Sequence, residues 1–169
     1  FFGGDATHAP ALITTVWRYS LQQQQWQKVA TEETTDKKLF TLTGATALAI
    51  DNRYIACFGG VNASLFINTI TDLHHIGRDT ALTDEARKQK NYDYMAHYMT
   101  QPIAYYKFNQ ECYLFDTHTK QWSVLDTQPD FARAGATLVG TPDEFYLIQG
   151  ELKPGVRSPK TYKLKILSN

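Results

Sequence analysis

The sequence predicts an all-β chain with the architecture of a β-propeller. Three observations point there: a repeated order of residue types, short β-branched and aromatic runs between turn residues, and a spacing suited to four strands per unit. The chain has 169 residues, of which 43% are hydrophobic, 13% aromatic and 20% charged. That length can bury roughly 70% of the unfolded surface and suits about one domain. Seventeen Lys and Arg balance 17 Asp and Glu, for a formal net charge of +0. A nucleic-acid binder would carry a basic stripe, and an anionic membrane surface would call for a Lys/Arg cluster. Neither is present, and no apolar run approaches the ~18 residues of a membrane span. Neither nucleic acid nor membrane is therefore expected as a partner.

The repeats come first. One unit holds Phe1-Phe2-Gly3-Gly4, then Val16-Trp17-Arg18-Tyr19, then Trp26. The next holds Tyr54-Ile55-Ala56-Cys57-Phe58-Gly59-Gly60, then Cys112-Tyr113-Leu114-Phe115-Asp116, then Trp122. A third holds Phe145-Tyr146-Leu147-Ile148-Gln149-Gly150, then Thr161-Tyr162-Lys163-Leu164. Each reads as four strands. A small-residue strand opens the unit (Gly44 to Ile50, Ala134 to Val139), and a turn follows (Asp51 to Arg53, Gly140 to Glu144). The apolar strand ending in glycine is second, the Tyr/Trp strand third, and the Trp strand, Gln121 to Leu125, fourth. Glycine at a strand end reaches positive φ and admits close backbone approach. The small residues suit a crowded axis, the Trp a wide gap between outer blades, and all these motif residues are expected in the core.

This Gly-Gly, Tyr and Trp grammar resembles Kelch repeats. About three units are present, the first without its inner strand and the third without its fourth. Propellers close with roughly 4–8 blades. The count predicts part of a longer ring, or two copies completing one as a homodimer. The opening Phe1-Phe2-Gly3-Gly4, with no leader pattern ahead of it, likewise reads as the end of a strand cut from a longer chain.

Residues 62–109 form a predicted helical insertion between strands two and three of the second unit. Gly60 and Trp122 stand 62 residues apart, against 22 for Gly4 and Trp26. Thr83 is a candidate N-cap, with Asp84 and Glu85 favouring the dipole in the first turn. Good helix formers follow, Tyr92, Met95, Ala96 and Met99 fall at helical spacing, and Pro102 ends the helix. That stripe is expected to pack against the propeller face. A loop joining strands two and three lies on the face that holds the mouth of the channel, where long loops serve as lids or binding loops.

The matching loop of the third unit reads Gly150-Glu151-Leu152-Lys153-Pro154-Gly155-Val156-Arg157-Ser158. Pro154-Gly155 suits positions i+1 and i+2 of a type II turn. Glu151 then leaves one strand as Arg157 enters the next. A carboxylate and a guanidinium there suit a general base and an anion fork. The plainer reading is a minor surface ion pair. Arg133, just before a first strand, is also expected at the mouth.

The run Gly-Glu-x-Lys-Pro-Gly-x-Arg resembles a signature of the bacterial N-acetylneuraminate epimerases, or sialic acid mutarotases, which are six-bladed Kelch-type propellers of the periplasm. Gly59-Gly60-Val61-Asn62 with Phe66, Asp72-Leu73, Tyr105-Tyr106-Lys107-Phe108-Asn109 and Leu114-Phe115-Asp116 are similar to that family too. The resemblance covers nearly the whole chain, implies about half of a family member, and is strongest from Gly44 to Tyr162. It implies that Glu151 is the catalytic residue and that Arg157 binds the substrate, sialic acid. It further implies an isomerase of α- and β-anomers acting by acid–base ring opening and closure, with no cofactor and no metal, in the periplasm.

Other candidates carry less. His74 and His75 are adjacent and lack a third ligand at metal spacing. His97 reads as a surface residue of the insertion helix. Tyr92, Tyr94, Tyr98, Tyr105 and Tyr106 are able to stack on a sugar, but packing is the simpler role. Cys57 reads as a small core residue. The glycine pairs lack the Lys-Ser/Thr of a phosphate loop. The main rival function is a non-enzymatic Kelch module that binds carbohydrate or protein. The repeated Ser-x-Asp-x-Gly-x-x-Trp boxes of sialidases are not found, nor is the Tyr/His and Cys–Tyr set of copper-dependent Kelch oxidases.

Overall fold

The computed structural model describes residues 10–35, 37, 40–141 and 143–166. The opening Phe1-Phe2-Gly3-Gly4 motif lies outside them. The described chain is a partial Kelch-type β-propeller. Its first unit contributes the hairpin β1 (Thr15–Ser20) and β2 (Gln25–Thr31). The second is complete: β3 (Ala45–Ala49), β4 (Tyr54–Gly59), β5 (Glu111–Asp116) and β6 (Gln121–Thr127) form a meander in that order, every neighbour antiparallel. The third has β7 (Thr137–Thr141), β8 (Glu144–Ile148) and β11 (Thr161–Leu164). Between β8 and β11 stands a small hairpin, β9 (Glu151–Lys153) and β10 (Val156–Arg157).

The period-2 alternation of β4 and β5 builds the core on two sides at once. Cys57, Tyr113, Phe115 and Trp122 point to one face and pack with Val16, Phe40 and Leu42 from the first unit and its linker. Ala56, Phe58 and Cys112 point to the other and pack with Phe131, Phe145 and Leu147 toward the third unit. Sheets stacked face to face in this way are the packing of a propeller. Phe40 stacks on Tyr113 at 3.9 Å between centroids and meets Trp122 edge-on at 5.3 Å. Because register sets Cys57 opposite Tyr113 and Cys112 opposite Phe58, the two thiols lie on opposite faces of the sheet. Burial raises both thiol pKa values, that of Cys112 to about 12, so neither is a ready nucleophile.

Several details differ from the sequence expectation: Trp17, Tyr19, Val124, Leu125, Val139 and Tyr146 of the motif strands, expected in the core, are exposed on their outward faces. Trp26, expected in the core, is 58% exposed and leans on Tyr19 at 5.1 Å. It opens the second strand of a two-stranded sheet, whereas Trp122 is 1% exposed inside a four-stranded one. The expected turn at Gly140 is instead strand: β7 continues to Thr141, and Gly140 pairs with Phe145. Gly140 takes φ +143° there, where an added Cβ would meet Phe145 Cα at 2.6 Å.

The Gly59-Gly60 pair ends β4 and sends the chain into three helices. Gly60 N donates to Arg133 O at 2.8 Å, tying the second unit to the third. The returning Asn109 donates its side-chain amide to Thr41 O (2.8 Å) and Gly59 O (3.1 Å), so both ends of the excursion share one anchor. Helix α1 (Ala63–Arg78) starts at Asn62, whose Oδ1 accepts from Leu65 N. Helix α2 (Asp84–Thr100) starts at Thr83, whose hydroxyl accepts from Ala86 N. Pro102 does more than end α2, because it also caps the short α3 (Ile103–Tyr106).

The Tyr92/Met95/Met99 stripe was expected against the propeller, yet α2 has no buried residue, and Tyr92 is exposed. Its neighbours are α1, α3 and, at Met99, the tip of the β9–β10 hairpin, where a Cβ on Gly155 would stand 3.7 Å from Met99 Cε. Tyr94 donates to Asp72 at 2.8 Å, and Tyr98 meets Tyr106 edge-on at 5.2 Å. Arg87 Nη1 donates to Asp79 O, which with the Tyr94–Asp72 bond sets α1 and α2 antiparallel.

Candidate active site

The β9–β10 hairpin rises from the third unit where the glycine-ended strand β8 stops. Its base is held on two sides. Glu151 N donates to Ala134 O at 2.7 Å and Ala134 N donates to Glu151 O at 2.9 Å, a bridge to the chain just before β7. Ser158, buried at the hairpin's far end, donates its N–H to Gly150 O at 2.8 Å. At the tip, Gly155 has φ +75°, the sign that the glycine of a type II turn requires.

Register then sets Arg157 directly opposite Glu151. Arg157 Nη2 lies 3.8 Å from Glu151 Oε1, an ion-pair separation with room between the groups. The side chains are 35% (Glu151) and 63% (Arg157) exposed, so both remain open to a ligand. Glu151 is thus rigid at its backbone and free at its carboxylate, while Arg157 offers a planar guanidinium alongside. The pair can accept a proton and grip an anion at neighbouring points.

Arg133 does not join them. It is 2% exposed, and its guanidinium donates inward to Asp130 O (2.9 Å) and Gln149 O (2.7 Å), with its Cζ 4.8 Å from the Tyr162 ring centroid. It braces the start of the third unit instead of facing a channel mouth. Tyr162 donates in turn to Asp130 Oδ1 at 2.6 Å. His74 and His75 lie in α1 with ring centroids 6.2 Å apart. Among the described residues no group of three or more His, Cys, Asp or Glu gathers to hold a metal ion.

One contact of the loop carries no signal in the sequence. Lys153 Nζ donates to Met99 O at 3.1 Å and to Gln101 O at 2.8 Å, the C-terminal end of α2. Nothing in the loop's residues says which carbonyls, some fifty positions earlier, its lysine would find. On the other side of β9, Leu152 lines a cavity of about 480 Å³ with Asn62, Ser64, Lys107, Phe108 and Tyr113. Glu151 and Arg157 are not part of its wall.

The sequence model of the N-acetylneuraminate epimerase family matches residues 1–169. The chain belongs to that family. It is 35% identical over 111 residues to the N-acetylneuraminate epimerase of Escherichia coli O9:H4 (strain HS), covering 66% of this chain and 28% of that protein. It is 34% identical, with the same coverage, to those of Escherichia coli (strain K12) and Shigella sonnei (strain Ss046). The fold is similar to the solved structure of YjhT, with a TM-score of 0.78 and 27% identity, covering 97% of this chain and 45% of that one. The chain thus spans less than half the length of the epimerases and of the YjhT structure it matches.

Proposed function

We propose that this chain carries the acid–base site of a sialic acid mutarotase, an isomerase that interconverts the α- and β-anomers of N-acetylneuraminate. The observation that carries the reading is the pairing of Glu151 with Arg157 across a pinned hairpin, in a chain of the N-acetylneuraminate epimerase family. Interconversion opens the sugar ring to a ketone and closes it on the other face. Glu151 takes the proton of the anomeric hydroxyl as the bond from the anomeric carbon to the ring oxygen breaks, and solvent water gives the ring oxygen a proton. After rotation the hydroxyl that was the ring oxygen attacks the opposite face of the ketone and returns its proton to solvent, while Glu151 returns its own to the new anomeric oxygen. No atom is gained or lost, and the chemistry requires neither metal nor redox cofactor. A positioned base of this kind is worth about 10²–10⁴-fold. Arg157 holds the sugar carboxylate by two parallel hydrogen bonds, fixing which oxygen meets Glu151.

The family resemblance supports a periplasmic location and a place in sialic acid metabolism. Further blades, or a second copy as a homodimer, would complete the ring. The test follows freshly released α-N-acetylneuraminate by proton NMR with the full-length protein and its Glu151→Gln variant. Acceleration by the parent only is expected. Equal acceleration by both would move the base elsewhere, and none by a folded parent would leave a binding module.

A further inference from the structure

The last carbonyls of a helix lack intrahelical partners and form its negative end. In α2 two of these are met locally: His97 O accepts from Thr100 Oγ1 (2.9 Å) and Gln101 Nε2 (3.1 Å), and Tyr98 O accepts from the Tyr106 hydroxyl. Met99 O and Gln101 O are met from another part of the fold, by the ammonium of Lys153. The hairpin tip follows it, since a Cβ on Gly155 would stand 3.7 Å from Met99 Cε. Lys153 is two residues from Glu151 on the same three-residue strand, so the two share a face, and its neighbour Val156 precedes Arg157.

We infer that Lys153 is a positioning residue, which clamps the β9–β10 hairpin to the C-terminal end of α2 and thereby sets Glu151 against Arg157. The helical insertion of the second unit then acts as a buttress for the site on the third. Glu151 and the returning Arg157 are pinned at the hairpin's base by the Ala134 bridge and by Ser158 N–H to Gly150 O, but those bonds leave the strand beyond Glu151 and the tip to swing. The ion pair itself, open at 3.8 Å, is too loose to fix the hairpin. Lys153 supplies the missing restraint, and a displacement of about 1 Å at a reacting group can cost 10²-fold in rate.

The inference rests on the proposed mutarotase reading. It is tested with the full-length protein, Lys153→Met and Lys153→Arg, measuring kcat and KM for anomer conversion by NMR and the melting temperature of each. Lys153→Met is expected to lower kcat at least tenfold with KM changed less than threefold and melting nearly unmoved. Lys153→Arg, which still offers donors to the two carbonyls, is expected to recover most of that loss. Lys153→Met at the parental rate, beside an active parent, overturns the positioning role alone. So does an equal loss in both variants that tracks a fall in melting temperature. An inactive but folded parent overturns the mutarotase reading, and the positioning role with it.

Discussion

Glu151 and Arg157 are register partners in a hairpin of five strand residues, with Nη2 and Oε1 3.8 Å apart. The separation matters because it divides stability from activity. A half-exposed pair too far apart for a hydrogen bond contributes little to folding, on the order of 0–1 kcal/mol. The same carboxylate, as the base, would be worth about 10²–10⁴-fold in rate. Glu151→Gln is therefore expected to unfold within about 1 kcal/mol of the parent in urea. A much larger loss of stability would mean that the carboxylate is a structural group.

Arg157→Lys separates charge from shape. Lysine keeps the positive charge but not the planar fork that meets a carboxylate with two parallel bonds. Losing one hydrogen bond to a charged group costs about 1.5–3 kcal/mol, so KM for N-acetylneuraminate is expected to rise roughly tenfold or more. An unchanged KM would remove Arg157 from substrate binding.

Gly59 and Gly135 both have positive φ, +71° and +60°, and give a controlled comparison. A Cβ at Gly59 would collide with the backbone oxygen of Arg133, the acceptor for Gly60 N, whereas one at Gly135 would meet nothing within 4 Å. Gly135→Ala is expected to cost only the left-handed conformation, about 1–2 kcal/mol. Gly59→Ala adds loss of the inter-unit hydrogen bond, near 1 kcal/mol, and a backbone displacement. Denaturant midpoints should rank parent, Gly135→Ala, Gly59→Ala, and equal midpoints for the two variants would contradict the collision.

The two tryptophans of the repeat pattern should also part company. Trp122, packed between Phe40 and Phe115, is expected to lose about 3–5 kcal/mol on truncation to alanine. Trp26, more than half exposed, is expected to lose less than about 1 kcal/mol. Comparable losses in thermal unfolding would show that Trp26 is covered in the folded protein.

This contrast marks how far the sequence could be read. Glycine-ended apolar strands and the Trp strand are set by local patterning, and β3 to β6 follow it closely. The cap at Thr83 and the turn at Pro154-Gly155 are local chemistry as well. What pattern leaves open is which neighbour a side chain meets. Tyr92 and Tyr98 share a helix and a residue type, yet only Tyr98 faces α3. Arg133 resembles a mouth residue by position, but the carbonyls that claim it come from Asp130 and Gln149. Helix α1 falls within the predicted insertion over 62–109, but its Asn62 cap was not singled out. The contact of Lys153 was not legible, because its partners lie in another unit.

Arg53 and Asp116 join the outer turns of the complete blade, and their pairing sets a pH dependence. Arg53 Nη2 and Nε donate to Asp116 Oδ2 at 2.6 and 3.1 Å, while His118 N and Thr119 N donate to Oδ1. The guanidinium, followed by these backbone donors, holds the Asp116 carboxyl well below its usual 3.8. A carboxyl with a depressed pKa in the folded state stabilises that state above its unfolded pKa, and the benefit fades as pH falls toward the folded value. The contribution of this pair to the parent's stability should therefore fade progressively as pH falls below about 4. Arg53→Gln removes the largest cause of the shift and also the contact with the Tyr54 ring, 4.8 Å from its centroid. The ring contribution does not titrate with Asp116, so it lowers the variant's melting temperature at every pH. The ion-pair contribution does titrate, so the gap between parent and variant is expected to be widest at neutral pH and to narrow as pH falls from 5 to 2. A constant gap across that range would assign the whole effect of Arg53 to packing.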